Sequence, residues 1–398
     1  MRAEQQLKTF LRVLEEYPAN TPLTKFLPGF FKKNKQMGST DRRIATRLLY
    51  NFFRLGQAST DKPVEERLFL AEFLCNEAPD KFLEHFRPEL NDKVELSISD
   101  KISLLQSEYG FKLPEVFPWI NHLSDGIAPD QFLQSLFVQP DLYIRMHPNK
   151  EKLVKAGLEN AGVIFKEIGE STLALPNGTK LDHIFAECLT SNRNTAGSFP
   201  FEVQDLSSQQ TLAYFQPKRY EHWWDACAAS GGKSLLLFSQ EPHIKLVVSD
   251  IRESVLNNLD ERFIGAGLRT YQKKLLDLTQ NPDPVLHDFH FDGIILDAPC
   301  TGSGTWGRTP EMISQFEEFK IQGFQNLQRT IAANVIKYLK PGKPLIYITC
   351  SVFKEENEDM VDYLVKNHGL KLEASEVLKG YEHKADTMFV ARLTSLTH

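Results

Sequence analysis

Two apolar runs of this chain end in cysteine: "IILDAPC" at Cys300 and "IYITC" at Cys350. A lone cysteine after an apolar strand is usually a small core hydrophobe, which is how Cys75 and Cys188 read. Two cysteines at strand ends, one preceded by Asp-Ala-Pro, are expected to point into one cleft. Paired thiols suit covalent catalysis, in which one sulfur adds to the substrate and a second acid/base group handles protons as the adduct forms and breaks. Asp297, about one turn before Cys300, stands ready to hold a polar ring edge and stabilise charge developing during attack. A free thiol titrates near about 8.5, so the nucleophile needs a cation or a helix N-terminus beside it. Lys233 is the local candidate.

A second chemical feature is "DACAASGGKS", from Asp225 to Ser234. Its Gly-Lys-Ser ending resembles that of a phosphate-binding loop, but Cys227 stands where that loop requires its first glycine. The repeated glycine spacing that seats a pyrophosphate on a helix N-terminus is also missing. Asp250 ends the next apolar run, where a doubly wound nucleotide site places the acceptor for ribose hydroxyls. Asp277, ending "QKKLLD", falls at a third strand end. Asp225, Asp250 and Asp277 therefore read as three carboxylates in register around a nucleoside that carries no phosphates. S-adenosylmethionine is such a ligand. Beside a methyl donor, paired thiols imply methylation of carbon 5 of a pyrimidine: a thiolate on carbon 6 makes the ring an enamine able to attack the sulfonium. This chemistry does not choose between Cys300 and Cys350 as nucleophile.

The elements that must position these residues follow from hydrophobic period. From Glu4 to about Asn121 the apolar residues recur at helical spacing, with Leu7, Phe10, Leu11 and Leu14 on one stripe and Ile44, Leu48, Phe52 and Leu55 on another. "DLYIRMH", "VIFKEI" and "STLAL" read as strands around the helix "NKEKLVKAGLENAG". From about Gly197, apolar strands alternate with amphipathic helices, which means a mostly parallel sheet covered on both faces, with its ligands at the carboxyl ends of the strands. The expected divisions are 1–135 all-α, 136–196 small α/β, and 197–398 catalytic.

Five cysteines without CxxC spacing speak against a zinc site or a disulfide framework, and the expectation is no metal. No apolar run approaches a membrane span and the first residues are unlike a signal peptide, so a cytoplasmic monomer away from membranes is expected. The formal net charge is −6, but residues 1–60 hold 11 Lys and Arg against 4 Asp and Glu. Such a basic module on an acidic chain suits phosphate tracking, although a solvated helical surface would look the same.

The segments "EVQDLSSQ", "DACAASGGKS", "LDAPCTGSGT" and "YITCSVFKEENEDMV" resemble, in order and spacing, the signature motifs of the RNA cytosine-5 methyltransferases, in particular the bacterial ribosomal-RNA branch. "TMFVARL" looks like the last strand of that family, and the likeness extends over about residues 115–398. The stretch "PLTKFLPGFFKKNKQMGSTDRRIATRLLYNFFRLG" is similar to the NusB-like helical RNA-binding domain that precedes the catalytic part of the small-subunit enzyme.

The resemblance implies a class I S-adenosylmethionine-dependent methyltransferase, an α/β Rossmann-like fold with a mostly parallel seven-stranded sheet, acting on small-subunit (16S) ribosomal RNA. It further implies that Cys227, Ala228, Ala229, Ser230, Gly231, Gly232 and Lys233, with Asp250, Asp277 and Asp297, line the S-adenosylmethionine site. It makes Cys350 the nucleophile and gives Cys300 the release of the methylated base. Ser230, Ser234 and Lys343 depart from the usual proline, threonine and glycine without changing loop or cap chemistry. "DTMF" from Asp386 to Phe389 replaces Asp-Gly-Phe-Phe, a change expected to loosen a turn. The same chemistry on tRNA, or a catalytically idle RNA-binding or ribosome-assembly factor, are the alternatives. Two thiols in one cleft speak against the idle scaffold.

Overall fold

The computed structural model describes residues 2–19, 21–186 and 200–396; Cys188 and the expected boundary between 196 and 197 lie outside them. Contacts gather the chain into two compact units, one of Met1–Leu123, Ala128–Gln139 and Thr305–Glu318, the other of Ser124–Ile127, Pro140–Gly304 and Phe319–His398.

The first unit is helical, as the apolar period requires. The helices Arg2–Glu16, Leu23–Lys33, Ser39–Arg54, Val64–Cys75 and Ile98–Tyr109 bury Phe10, Val13, Leu27, Phe30, Leu48 and Leu105. Residues 305–318 lie in the range expected to be catalytic, yet they pack here. Trp306 and Phe316 join Phe117 and Trp119 in an aromatic cluster, and Ile313 is fully buried. Two buried charges tie this segment down: Arg54 donates to the carbonyls of Gly307 and Leu136, and Glu311 accepts from the backbone N–H of Leu23. Arg54 and Arg47, which pairs with Glu72 and Asp80, are thus structural members of the basic stretch. Eight others, Arg2, Lys8, Arg12, Lys25, Lys32, Lys33, Lys35 and Arg43, are exposed.

The second unit holds two sheets. The smaller is made of β1 (Leu142–Met146), β2 (Lys166–Glu167), β3 (Thr172–Leu175) and β4 (Phe201–Val203), in the order β2-β3-β1-β4. Of "VIFKEI" only Lys166 and Glu167 pair, because the strand is short and exposed. β4 lies beyond residue 197 but pairs with β1, so the small sheet draws on the range assigned to the catalytic part.

The larger sheet comprises β5 (His222–Asp225), β6 (Lys245–Asp250), β7 (Gln272–Leu275), β8 (Gly293–Asp297), β9 (Pro344–Thr349), β10 (Leu370–Leu378) and β11 (Met388–Ser395). Their order is β10-β11-β9-β8-β5-β6-β7. β5 to β9 pair in parallel, and β11 runs antiparallel to both β9 and β10. This is the mostly parallel, seven-stranded Rossmann-like α/β sheet that was expected.

Side chains alternate between its faces, as a period of two demands. Trp224, Ile294, Leu296, Leu345 and Tyr347 face the helices Phe319–Ile336 and Glu358–His368. Trp223, Ile295, Ile346 and Ile348 face the helices Gly232–Gln240 and Glu253–Gly265. Both faces are covered, which is why the strands read as continuous apolar runs.

The "DTMF" turn is not loose. The Asp386 N–H donates to Asp205 Oδ2 at 3.0 Å, the Thr387 N–H donates to the Gly304 carbonyl at 2.9 Å, and Thr387 is buried. These bonds supply what the missing glycine would have supplied by conformational freedom.

Gly304 is required by close approach, since a Cβ there would stand 1.9 Å from the Thr387 carbonyl oxygen and 3.0 Å from that of Cys350. Gly304→Ala should therefore cost about 1–3 kcal/mol, the range for overpacking against a part that cannot yield. Gly323→Ala, in the helix Phe319–Ile336 with nothing within 4 Å, should instead gain about 0.5–1 kcal/mol. Thermal melts of the two variants check the contrast; equal melting temperatures would contradict it.

Candidate active site

β8 and β9 are parallel neighbours in register, Asp297 opposite Ile348. The chain leaves β8 through Ala298 and Pro299 to Cys300 and leaves β9 directly at Cys350. Two strands ending in step bring their thiols together, and the sulfurs lie 3.3 Å apart in hydrogen-bond contact. That bond, then burial, pushes the Cys300 thiol well above its usual range.

Both sulfurs border a cavity of about 540 Å³. It opens at the carboxyl ends of β5, β6 and β8, where the strand order reverses, the expected ligand position in an open α/β sheet. Its polar lining is Cys227, Asp250, Arg252, Asp277, Thr279 and Asp297, and its apolar walls include Ile251, Leu276, Leu278, Leu327 and Ile331. The volume is that of an ordinary small-ligand site. Carboxylates, apolar walls and two cysteines lining one cavity suit a nucleoside held beside a reacting ring.

The glycine turn divides in two. Cys227 and Ala229 line the cavity, whereas Ala228, Ser230, Gly231, Gly232 and Lys233 are not on its wall. Gly231 has φ +81° and begins the helix Gly232–Gln240; a Cβ there would meet the Phe263 ring at 2.2 Å. The Ser230 hydroxyl accepts from Arg262 at 3.2 Å, and the Gly232 carbonyl accepts from Gln204. This half of the turn aims the other half. Burial, with the charges of Asp225, Asp250 and Asp297, pushes the Cys227 thiol far up, so it holds its proton.

Each carboxylate has a partner the sequence did not reveal. Asp250 accepts from the Ala229 N–H at 3.0 Å, from the Arg252 N–H at 2.9 Å and from the Arg252 guanidinium at 3.0 and 3.1 Å. Burial opposes its charge, but these hydrogen bonds hold the carboxyl below its usual range. Asp277 lies two residues beyond β7 and accepts from the N–H and hydroxyl of Thr279. Asp297 accepts from Lys233 Nζ at 3.0 Å, and the same ammonium donates to Ser208. Lys233, sought as a cation for a thiolate, is thus engaged by Asp297. Asp225 leaves the expected register of three: it is fully buried beneath the turn, with Oδ2 accepting from the Ser234 hydroxyl at 2.7 Å.

Two further groups stand behind the thiols. Glu356 and Asn357, buried in the turn before the helix Glu358–His368, bond to the residues flanking Cys300 and Cys350. Both fall within "YITCSVFKEENEDMV". Nothing in its pattern shows that Glu356, rather than Glu355 or Glu358, turns inward. Among the described residues no helix is long and apolar enough to cross a membrane, and no group of three or more His, Cys, Asp and Glu could hold a metal ion.

Residues 212–394 match the family model described as 16S rRNA methyltransferase RsmB/F. The ribosomal RNA small subunit methyltransferase B of Shewanella oneidensis is 34% identical over 211 residues, covering 49% of this chain and 48% of the relative. That of Klebsiella pneumoniae is 30% identical over 200 residues, 48% of this chain and 46% of the relative. The chain spans about half the length of the curated relatives it matches. Among solved structures, a methyltransferase homolog protein from Pyrococcus horikoshii aligns over 76% of this chain and 100% of its own, with TM-score 0.57 and 20% identity. The protein crystallised as PH0851 aligns over 97% of each chain, with TM-score 0.69 and 21% identity. At such identities the likeness is one of fold.

The displaced carboxylate gives a test of the site's electrostatics. Burial raises Asp225 to about 7, with the Asp297 and Asp250 charges adding to it against the Ser234 hydrogen bond and the Lys233 charge; its Oδ1 has no partner. An unfolded aspartate titrates near about 3.9, so between that value and the folded one the native state keeps a proton the unfolded chain has lost. Stability therefore falls as pH rises through this window and levels off above it. Asp225→Asn removes the titration, and its stability relative to the wild type should be higher at pH 8 than at pH 5. Urea unfolding at the two pH values checks this; the same difference at both would contradict it.

Proposed function

We propose that this chain, whose residues 212–394 match the family model described as 16S rRNA methyltransferase RsmB/F, methylates carbon 5 of a cytosine in small-subunit ribosomal RNA, with S-adenosylmethionine as methyl donor. The observation that carries the reading is the pair of sulfurs 3.3 Å apart at the border of a cavity also lined by strand-end carboxylates. Few reactions use two adjacent thiols beside a nucleoside site.

The residues present fit that donor. Asp250 is the acceptor for ribose hydroxyls, exchanging for them the guanidinium of Arg252, whose side chain is 59% exposed. Cys227, Ala229 and Asp277 bound the nucleoside, and Ile251, Leu276 and Leu278 offer apolar contact to its base. Ala228, Ser230, Gly231, Gly232 and Lys233 shape this wall from behind. When bound, S-adenosylmethionine supplies a methyl group on a positively charged sulfur.

The protein's own groups do the rest. Cys350 adds as thiolate to carbon 6 of the cytosine, which makes carbon 5 nucleophilic. Cys300, whose thiol keeps its proton, stands beside it and assists release of the methylated base: the proton of carbon 5 passes to solvent water, its electron pair restores the ring double bond as the bond from Cys350 to carbon 6 breaks, and Cys300 gives its own proton to the departing Cys350 sulfur. Asp297, held by Lys233, faces the cavity and meets the polar edge of the ring. The exposed lysines and arginines of residues 1–60 meet RNA phosphates, in a NusB-like manner. The setting is the cytoplasm and the working form a monomer without metal.

The roles of the thiols separate by experiment. Cys350→Ser should abolish turnover and leave no protein–RNA adduct, because an unactivated hydroxyl is a far weaker nucleophile than a thiolate. Cys300→Ser should still attack and methylate but release slowly, so that a covalent complex accumulates on denaturing gels. An adduct with Cys350→Ser and none with Cys300→Ser would reverse the assignment. Unimpaired methylation by both variants would overturn the thiol mechanism.

A further inference from the structure

We propose that Glu356 is a positioning residue of the thiol pair: its single carboxylate joins the turn after Cys300 to the turn after Cys350 and sets the spacing of the two sulfurs. The inference builds on the proposed thiol chemistry but rests on contacts that exist without substrate. Oε1 accepts from the Thr301 N–H at 2.9 Å and from Gln328 Nε2 at 3.0 Å, and Oε2 accepts from the Thr301 hydroxyl at 2.6 Å and from the Ser351 hydroxyl. Gln328 also donates to the Pro299 carbonyl at 3.0 Å. The residues before and after Cys300, and the residue after Cys350, therefore converge on one fully buried carboxylate.

A buried charge is costly unless donors surround it, and here four donors do. Two of them, a backbone N–H and the Gln328 NH₂ that also donates to the Pro299 carbonyl, can only donate, so the site is built for an acceptor. Its neighbour Asn357 completes the bracket around Cys350, accepting from the Thr349 hydroxyl and donating to the Ser351 carbonyl. Glu356 lies behind the sulfurs rather than on the cavity wall, and it touches neither a substrate nor a reacting atom. Its part is to keep two turns from drifting apart. Its charge is also one of the influences that raise Cys300, after the Cys350 hydrogen bond, burial and the Cys350 charge.

Two variants separate geometry from charge. Glu356→Gln keeps the joint: its amide oxygen can accept from Thr301 and Gln328, while its NH₂ faces two hydroxyls that can rotate to accept. Glu356→Ala removes both joint and charge. The first measurement needs no RNA: diamide takes two electrons and two protons from adjacent thiols, and peptide mass spectrometry follows the Cys300–Cys350 disulfide. Wild type and Glu356→Gln should form it at similar rates and Glu356→Ala roughly tenfold more slowly, as a lost near-attack geometry requires.

The second is methyl transfer. Glu356→Ala should lose roughly a hundredfold in kcat with its KM for RNA little changed, and Glu356→Gln should shift the alkaline limb of the pH–rate profile to lower pH. If Glu356→Ala does not give a wild-type circular dichroism spectrum, Glu356→Asp takes its place, since it keeps the charge but is too short to hold both turns. A disulfide rate unchanged in the shortened or truncated variant overturns the proposal. If the wild type methylates no RNA while the disulfide rates fall as expected, the positioning role stands and the functional reading fails.

Discussion

The structure turns on one parallel strand pair. β8 and β9 must end in step, because Cys300 and Cys350 leave them within three residues of their last paired positions, and the later turn at Glu356 can only adjust sulfurs that the strands have already brought together. Their hydrogen-bond ladder is held between two apolar faces, with Leu296 and Tyr347 on one side and Ile295, Ile346 and Ile348 on the other, all fully buried. A slip of one residue would turn every one of these side chains to the opposite face and carry the thiols out of contact. The core therefore enforces the register that the chemistry needs.

Around that pair, charge is distributed by burial. Asp225, deepest and with one unpartnered oxygen, is driven toward its neutral form. Asp250 and Asp297, at the cavity, are held by Arg252 and Lys233. Glu356, behind the sulfurs, is bound by hydrogen-bond donors alone, and burial raises its carboxyl despite them. Carboxylates thus take different tasks from their surroundings.

Much of this was legible in the chain. Alternating apolar strands and amphipathic helices announced the sheet, and the cysteines at two strand ends announced a cleft, because both signals depend on residues close together in sequence. What was hidden depends on residues far apart. Lys233 finds Asp297 64 residues away and Thr301 finds Glu356 55 residues away, and no local pattern encodes either meeting. The segment 305–318 follows a catalytic motif in sequence but buries Trp306 and Ile313 in the helical unit, since its apolar residues belong to that core. Asp225 misled for a related reason: a strand-end aspartate looks the same whether it faces a ligand or lies buried beneath the turn, bonded to the Ser234 hydroxyl.

Attack at carbon 6 is the step that would activate carbon 5, and the hydrogen on carbon 5 reports on it directly. Small-subunit ribosomal RNA labelled with tritium at carbon 5 of cytosine, incubated with the protein and S-adenosylmethionine, should release one tritium to water for each methyl group incorporated. Methyl incorporation with the tritium retained would place the methyl on another atom and contradict the thiol chemistry.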